Sequence, residues 1–174
     1  MIKAIETNYS GHRFRSRIEA RYAVFFDALR IEWEYEIEGF ILPSGECYLP
    51  DFWLPKFNGG MWVEVKPKPF TEEEKDKCWQ LCFGTQKSVW LANGKPNFTC
   101  YEVYYWNDEP PFVIEGDGIP NADKAERENR MFGMCGYGET GKRVGSQYMN
   151  LMGDSLEFAI KQANKARFEF GENG

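Results

Sequence analysis

Between Arg13 and Leu29, apolar residues recur at Phe14, Ile18, Tyr22, Phe25 and Leu29, at spacings of four, four, three and four. That is one stripe of an amphipathic helix, so a helix is predicted over 13–29. Arg13, Arg17 and Arg21 form a second stripe, on which side chains four apart are neighbours. Glu19 falls about half a turn from that stripe. The period then changes. Ile31, Trp33, Tyr35 and Ile37 alternate with Glu32, Glu34, Glu36 and Glu38. Strict alternation predicts a half-buried strand over 31–38. Its four glutamates read as a solvated face that discourages edge-to-edge pairing.

Pro43-Ser44-Gly45 turns the chain, and strands are expected over Tyr48–Leu54 and Met61–Lys66. Pro67 and Pro69 stop the latter. Thr71-Glu72-Glu73-Glu74 has the form of a capping box, with Thr71 as the cap and Glu74 reaching back. The helix it opens should run to Phe83 and bury Cys78, Trp79 and Cys82. Ser88–Ala92 and Thr99–Trp106 read as two more strands. Beyond them the periodic signal weakens. Residues 107–120 are acidic and proline-containing, 122–131 suggest a short charged helix, and the glycines of 133–145 suggest a mobile loop. Asp154 to Phe170 reads as a closing helix, with Asp154 as its cap and Leu156, Ile160 and Ala163 on one side.

The fold class that follows is α/β: a mixed sheet flanked by helices, in the order α-β-β-β-α-β. The expected organisation is a core over 1–106, an irregular segment over 107–153, and a helix over 154–174 packed on the core. A length of 174 residues suits one domain, and 43% hydrophobic residues suffice for a real core. No apolar run approaches the roughly 20 residues of a membrane span. Residues 1–6 lack the apolar stretch of a secretory signal, so a cytoplasmic location is expected. Five cysteines without a C-x-x-C pair argue against a disulfide framework and against structural zinc.

Net charge is −6, which argues against tight non-specific nucleic-acid binding. The charge is uneven, however. Residues 1–30 hold six Lys or Arg against three acids, whereas residues 31–64 hold one Lys against seven acids. A local basic site near the first helix is therefore compatible with an acidic whole.

Candidate chemistry sits in the two central strands. Along 61–66, Met61, Val63 and Val65 point to one face and Trp62, Glu64 and Lys66 to the other. Glu64 and Lys66 are thus neighbours on a face with bulky apolar flanks, where a charge pair needs specific partners. Asp51 in the preceding strand supplies a second carboxylate. Mg²⁺ takes one or two protein carboxylates and fills its octahedron with water and substrate phosphate. Asp51, Glu64 and the Val65 backbone carbonyl can be such a set, with Lys66 orienting a water or stabilising developing charge. Glu19 could complete a second metal site or hold the first metal's water. The bland alternatives are an ion-pair cluster for Asp51, Glu64 and Lys66, and a salt bridge to Arg15 for Glu19. His12 is not required by metal–water chemistry.

Pro50-Asp51, Glu64-Val65-Lys66 and the helix glutamate Glu19 together resemble the PD-(D/E)XK nuclease superfamily. Phe14-Arg15-Ser16-Arg17-Ile18-Glu19-Ala20-Arg21, Tyr48 to Pro55 and Trp62 to Lys66 resemble small phage and prophage proteins in particular. The resemblance covers residues 9–92 and the last helix. It implies a restriction-endonuclease-like core and a Mg²⁺- or Mn²⁺-dependent endonuclease acting on phosphodiester bonds, with DNA as the expected substrate. The catalytic set would be Glu19, Asp51, Glu64 and Lys66. Arg15, Arg17 and Arg21 would contact nucleic acid, and Gln80 is a further polar position that the superfamily sometimes uses. A homodimer would suit a double-strand cutter. Related cores serve several reactions, so the fold alone does not decide the substrate. The competing reading is a catalytically silent binding module. It would hold nucleic acid or a host protein, for instance one that defends against phage.

Overall fold

The computed structural model describes residues 5–57, 59–97, 100–106, 112–117 and 153–168. A small hairpin, β1 (Thr7–Tyr9) with β2 (His12–Phe14), leads into α1 (Arg17–Ala28). β3 (Glu34–Tyr35) follows, then a second hairpin of β4 (Phe40–Ile41) and β5 (Cys47–Tyr48). β6 (Phe52–Leu54), β7 (Met61–Lys66), α2 (Glu72–Thr85), β8 (Ser88–Asn93), β9 (Cys100–Tyr105), β10 (Phe112–Asp117) and α3 (Gly153–Lys165) complete the described elements.

Six strands form one mixed sheet in the order β10-β9-β8-β7-β6-β3. Only β7 and β8 are parallel, and α2 supplies the crossover that a parallel pair needs. The predicted mixed α/β class is therefore observed.

The alternation along β7 divides the interior in two. Met61, Val63 and Val65 face α1 and α3, where Phe26, Phe52, Trp90 and Leu156 join them. Trp62 faces α2, with Cys78, Leu81, Cys82, Leu91 and Leu42. Burying each large apolar side chain of this kind contributes roughly 1.5–3 kcal/mol.

Several predicted boundaries move. The helix expected from Arg13 begins at Arg17, because Ser16 caps it in extended backbone and its hydroxyl accepts from the Glu19 amide. Ser16 and Glu19 have the spacing of a capping box. Phe14 consequently belongs to β2, although it is buried as the stripe required. The long strand predicted over 31–38 shrinks to Glu34–Tyr35; at its C-terminal end Glu36 still donates its N–H to the Asp51 carbonyl but turns the chain at φ +48°. The strand predicted over 48–54 is two strands in different sheets. Pro50 has no N–H to give to a ladder, and Asp51 follows it at the junction.

The Thr71–Glu74 capping box forms as predicted. Helix α2 runs to Thr85, and Trp79 is only half-buried. The sheet also continues past residue 106, since β10 pairs with β9 in the segment expected to be irregular. α3 starts at Gly153 and ends at Lys165, so Asp154 lies inside it and its end comes before Phe170. The helix expected over 122–131 and the loop over 133–145 lie outside the described residues.

Gly60 opens β7 under tight constraint. Its φ is +100°, and a Cβ there would run into the Trp53 ring at Cη2. Gly60→Ala is expected to destabilise the protein by about 1–3 kcal/mol, read as a lower urea midpoint. An unchanged midpoint would show that Trp53 can yield.

Candidate active site

Four elements meet at the C-terminal end of β7: the start of α1, the turn after β3, the start of β6, and the start of α2. The register of β6 on β7 pairs Phe52 with Val63. This sets Asp51 beside the last turn of that ladder, where Asp51 Oδ2 accepts the Val65 N–H at 2.7 Å. Asp51 is 2% exposed. Its pKa is raised well above the usual carboxylate range, first by burial and then by the charges of Glu64 and Glu19; the Val65 N–H and Arg15 oppose the rise.

Glu64 and Lys66 point to the α2 side of β7, as the alternation predicts. Lys66 Nζ lies 2.7 Å from Glu64 Oε1. Burial by itself would lower the Lys66 pKa, but the charge and hydrogen bond of Glu64, aided by Asp51 and Glu74, raise it. Lys66 is therefore a fixed cation. The other oxygen, Glu64 Oε2, is buried and has no hydrogen-bond partner. The Tyr48 hydroxyl lies 3.6 Å from Cys78 Sγ and close enough to Glu64 for hydrogen bonding to contribute to the Tyr48 pKa, but it does not meet hydrogen-bond geometry with Oε2. Burial and then the charges of Cys78 and Glu64 push the Tyr48 pKa upward. An unpartnered buried carboxylate oxygen costs on the order of 1–3 kcal/mol or more, so its position calls for a cation or a donor.

Glu19 is brought alongside but is fully engaged. Its Oε1 accepts from Ser16 Oγ at 2.5 Å. Its Oε2 accepts from the Arg15 N–H at 3.1 Å and from the Tyr35 hydroxyl at 2.6 Å. The alternative of a Glu19–Arg15 salt bridge is not what forms; Glu19 instead accepts from the Arg15 backbone N–H. The Arg15 side chain goes elsewhere: Nη2 lies 2.8 Å from Asp51 Oδ1 and Nε lies 2.6 Å from Glu36 Oε1.

Glu36 is a site residue that the sequence pattern placed on a solvated strand face. The positive φ at Glu36 turns it toward the carboxylates. Its pKa is raised by burial and by Glu19 and Glu64, against the pull of Arg15. Tyr35 is a second unforeseen member, with a pKa raised by burial and by its bond to Glu19. Neither carried a sequence signal, since a turn at Glu36 interrupts an otherwise regular alternation.

Of three further candidates, Arg21 and Gln80 are engaged elsewhere. Arg21 donates to the Ala163 carbonyl near the end of α3 and stacks 5.8 Å above the Phe168 ring. It therefore ties α1 to α3. Arg17 is half-buried on α1. Gln80 Oε1 accepts from the Ser44 N–H, and its Nε2 donates to Asp76, so it holds the β4–β5 turn onto α2.

A cleft of about 340 Å³ opens beside Glu64 and Lys66, walled by Cys47 and Tyr48 on one side and by Thr71, Glu74 and Lys77 on the other. Among the described residues, no three His, Cys, Asp or Glu side chains gather as metal ligands. Two carboxylates, water and substrate oxygens nonetheless make an ordinary Mg²⁺ shell. No helix among the described residues is long and apolar enough to cross a membrane. No protein-family model matches the sequence, and no curated protein matches it significantly.

Proposed function

We propose that this chain is a metal-dependent endonuclease with a restriction-endonuclease-like core that hydrolyses phosphodiester bonds, DNA being the expected substrate. The observation that carries this reading is the unpartnered, buried Glu64 Oε2, set beside Asp51 and flanked by Lys66 at the mouth of a cleft. An orphaned carboxylate oxygen close to a second carboxylate fits a divalent cation, and the hard oxygen donors favour Mg²⁺ or Mn²⁺. Asp51 and Glu64 would hold it.

Val65 supports the same assignment. Its N–H points toward Asp51, and in a strand a residue's N–H and C=O share an edge. The Val65 carbonyl therefore faces the same side, where Pro50 has no N–H to pair with it. The element order α1-β3-β6-β7-α2-β8, with the β4–β5 hairpin inserted, agrees with the α-β-β-β-α-β pattern.

When bound, the metal would supply Lewis acidity toward a phosphoryl oxygen and a more acidic water. The chain's own residues do the remaining work. Lys66 holds a positive charge at the cleft, where it stabilises negative charge developing on a phosphate. Glu64 keeps that ammonium in place. Glu19, through Tyr35 and the Arg15 backbone, holds the start of α1 against the carboxylates.

The test is incubation of the purified chain with supercoiled plasmid and with branched DNA. Nicking or linearisation is expected with Mg²⁺ or Mn²⁺ and should stop on adding EDTA. Metal-insensitive cleavage would remove the metal from the reading. If no nucleic acid is cut under any metal, the silent binding module replaces the enzyme.

A further inference from the structure

The oxygens of the two proposed metal ligands are unequally available. Asp51 Oδ2 is committed to the Val65 N–H at 2.7 Å. Glu64 Oε1 is committed to Lys66 at 2.7 Å. Glu64 Oε2 is open. The last of the four, Asp51 Oδ1, is held by Arg15 Nη2 at 2.8 Å. Oδ2 is tied to a fixed backbone amide, whereas the partner of Oδ1 is a side chain that can move, so Oδ1 is the oxygen that a cation seated on Glu64 Oε2 can share by displacing its partner.

Arg15 is built to let go of it. Its side chain is 56% exposed, whereas that of Asp51 is 3% exposed. The guanidinium also has a second anchor in charge, since Nε lies 2.6 Å from Glu36 Oε1, an ion pair without hydrogen-bond alignment. Releasing Asp51 therefore does not strand the arginine, because Glu36 retains it at the rim. The planar fork of an arginine offers several donors at once, so Nη2, once free of Asp51, remains available to a phosphate oxygen.

We propose that Arg15 is a stand-in cation for the metal: it neutralises Asp51 in the empty site, is displaced from Oδ1 when a divalent cation binds, and is thereby released to grip the phosphate of the incoming strand. This rests on the metal reading above and adds an order of events to it. Metal and phosphate then bind with positive coupling, because the first frees the donor that the second uses. Glu36 becomes the hinge post on which Arg15 swings.

The experiment is a Mn²⁺ titration by calorimetry on the full chain and on Arg15→Gln, with melting temperatures taken in metal-free and Mn²⁺-saturated buffer. Arg15→Gln is expected to bind Mn²⁺ at least tenfold more tightly. It should also melt lower than the wild type without metal, and the gap should close at saturation. In the wild-type chain, the Arg15 guanidinium NMR signal should shift as Mg²⁺ is added, a readout that does not depend on the variant folding. Mn²⁺ binding of equal strength in both chains, or a guanidinium signal unmoved by saturating Mg²⁺, overturns the displacement while the metal site stands. Absence of Mn²⁺ binding in either chain overturns the metal reading and this inference with it.

Discussion

Asp51→Asn and Lys66→Met are each expected to lose the proposed metal-dependent cleavage by about 10²-fold or more, but for different reasons. The magnitude is the usual one for removing a charge that, in the proposed reaction, would face the phosphate or the ion polarising it. Asp51 gives one oxygen to the Val65 N–H and one to Arg15. An asparagine keeps the shape but only one acceptor. Its neutral amide removes the charge that the metal needs, so Mn²⁺ affinity should fall along with cleavage. Lys66→Met removes the ammonium but leaves both oxygens of Glu64 without partners in the protein. Metal binding should therefore persist while cleavage is lost. Lys66 keeps about a third of its side-chain exposure, 32% against 5% for Glu64. Its loss should accordingly destabilise less than the several kcal/mol of breaking a fully buried pair. Rates on plasmid, paired with Mn²⁺ calorimetry, separate the two roles. Full cleavage by both variants would sink the assigned site.

Phe52→Ala is expected to cost about 3–5 kcal/mol, the usual range for emptying a fully buried phenylalanine site. Phe52 is 0% exposed. Its ring lies 5.3 Å from Tyr35, 5.4 Å from Phe26, 5.8 Å from Trp33 and 6.0 Å from Phe14. These neighbours come from four separate elements or loops, so no single one can close the cavity. The loss is a large share of a total stability of about 5–15 kcal/mol. It should appear as a marked drop in urea midpoint, with Phe52→Leu losing much less. The site should suffer too, because Phe52 pairs with Val63 and carries Asp51 to its place beside Val65. A Phe52→Ala unfolding free energy within about 1 kcal/mol of wild type would mean that the packing around this ring carries less than the geometry implies.

The parts of the site that were legible in the sequence depend on local periodicity. Met61 to Lys66 is a strand with the predicted bounds, and its period of two put Glu64 and Lys66 on the same face. The Thr71–Glu74 capping box formed for the same reason, since its hydrogen bonds close within one turn. The Ser16–Glu19 spacing carried a similar signal, and it marks the true start of α1 at Arg17. The acidic strand face was misleading at Glu36, because alternation cannot register a single residue at φ +48°. The segment after Trp106 was misread because its acids and prolines hide a strand whose ladder is made with β9.

Periodicity and capping chemistry by themselves determined the mixed α/β class, the faces of β7, and the candidates Asp51, Glu64 and Lys66. Those signals act over one turn or two residues, so a linear reading can follow them. Only the tertiary structure decided which oxygens are spoken for. Arg15 reaches Asp51 across 36 positions in the chain, Tyr35 reaches Glu19 across 16, and Arg21 is drawn away to α3. The physical reason is that a buried charge takes whichever partner folding brings within about 3 Å, and that distance depends on sheet register and helix packing.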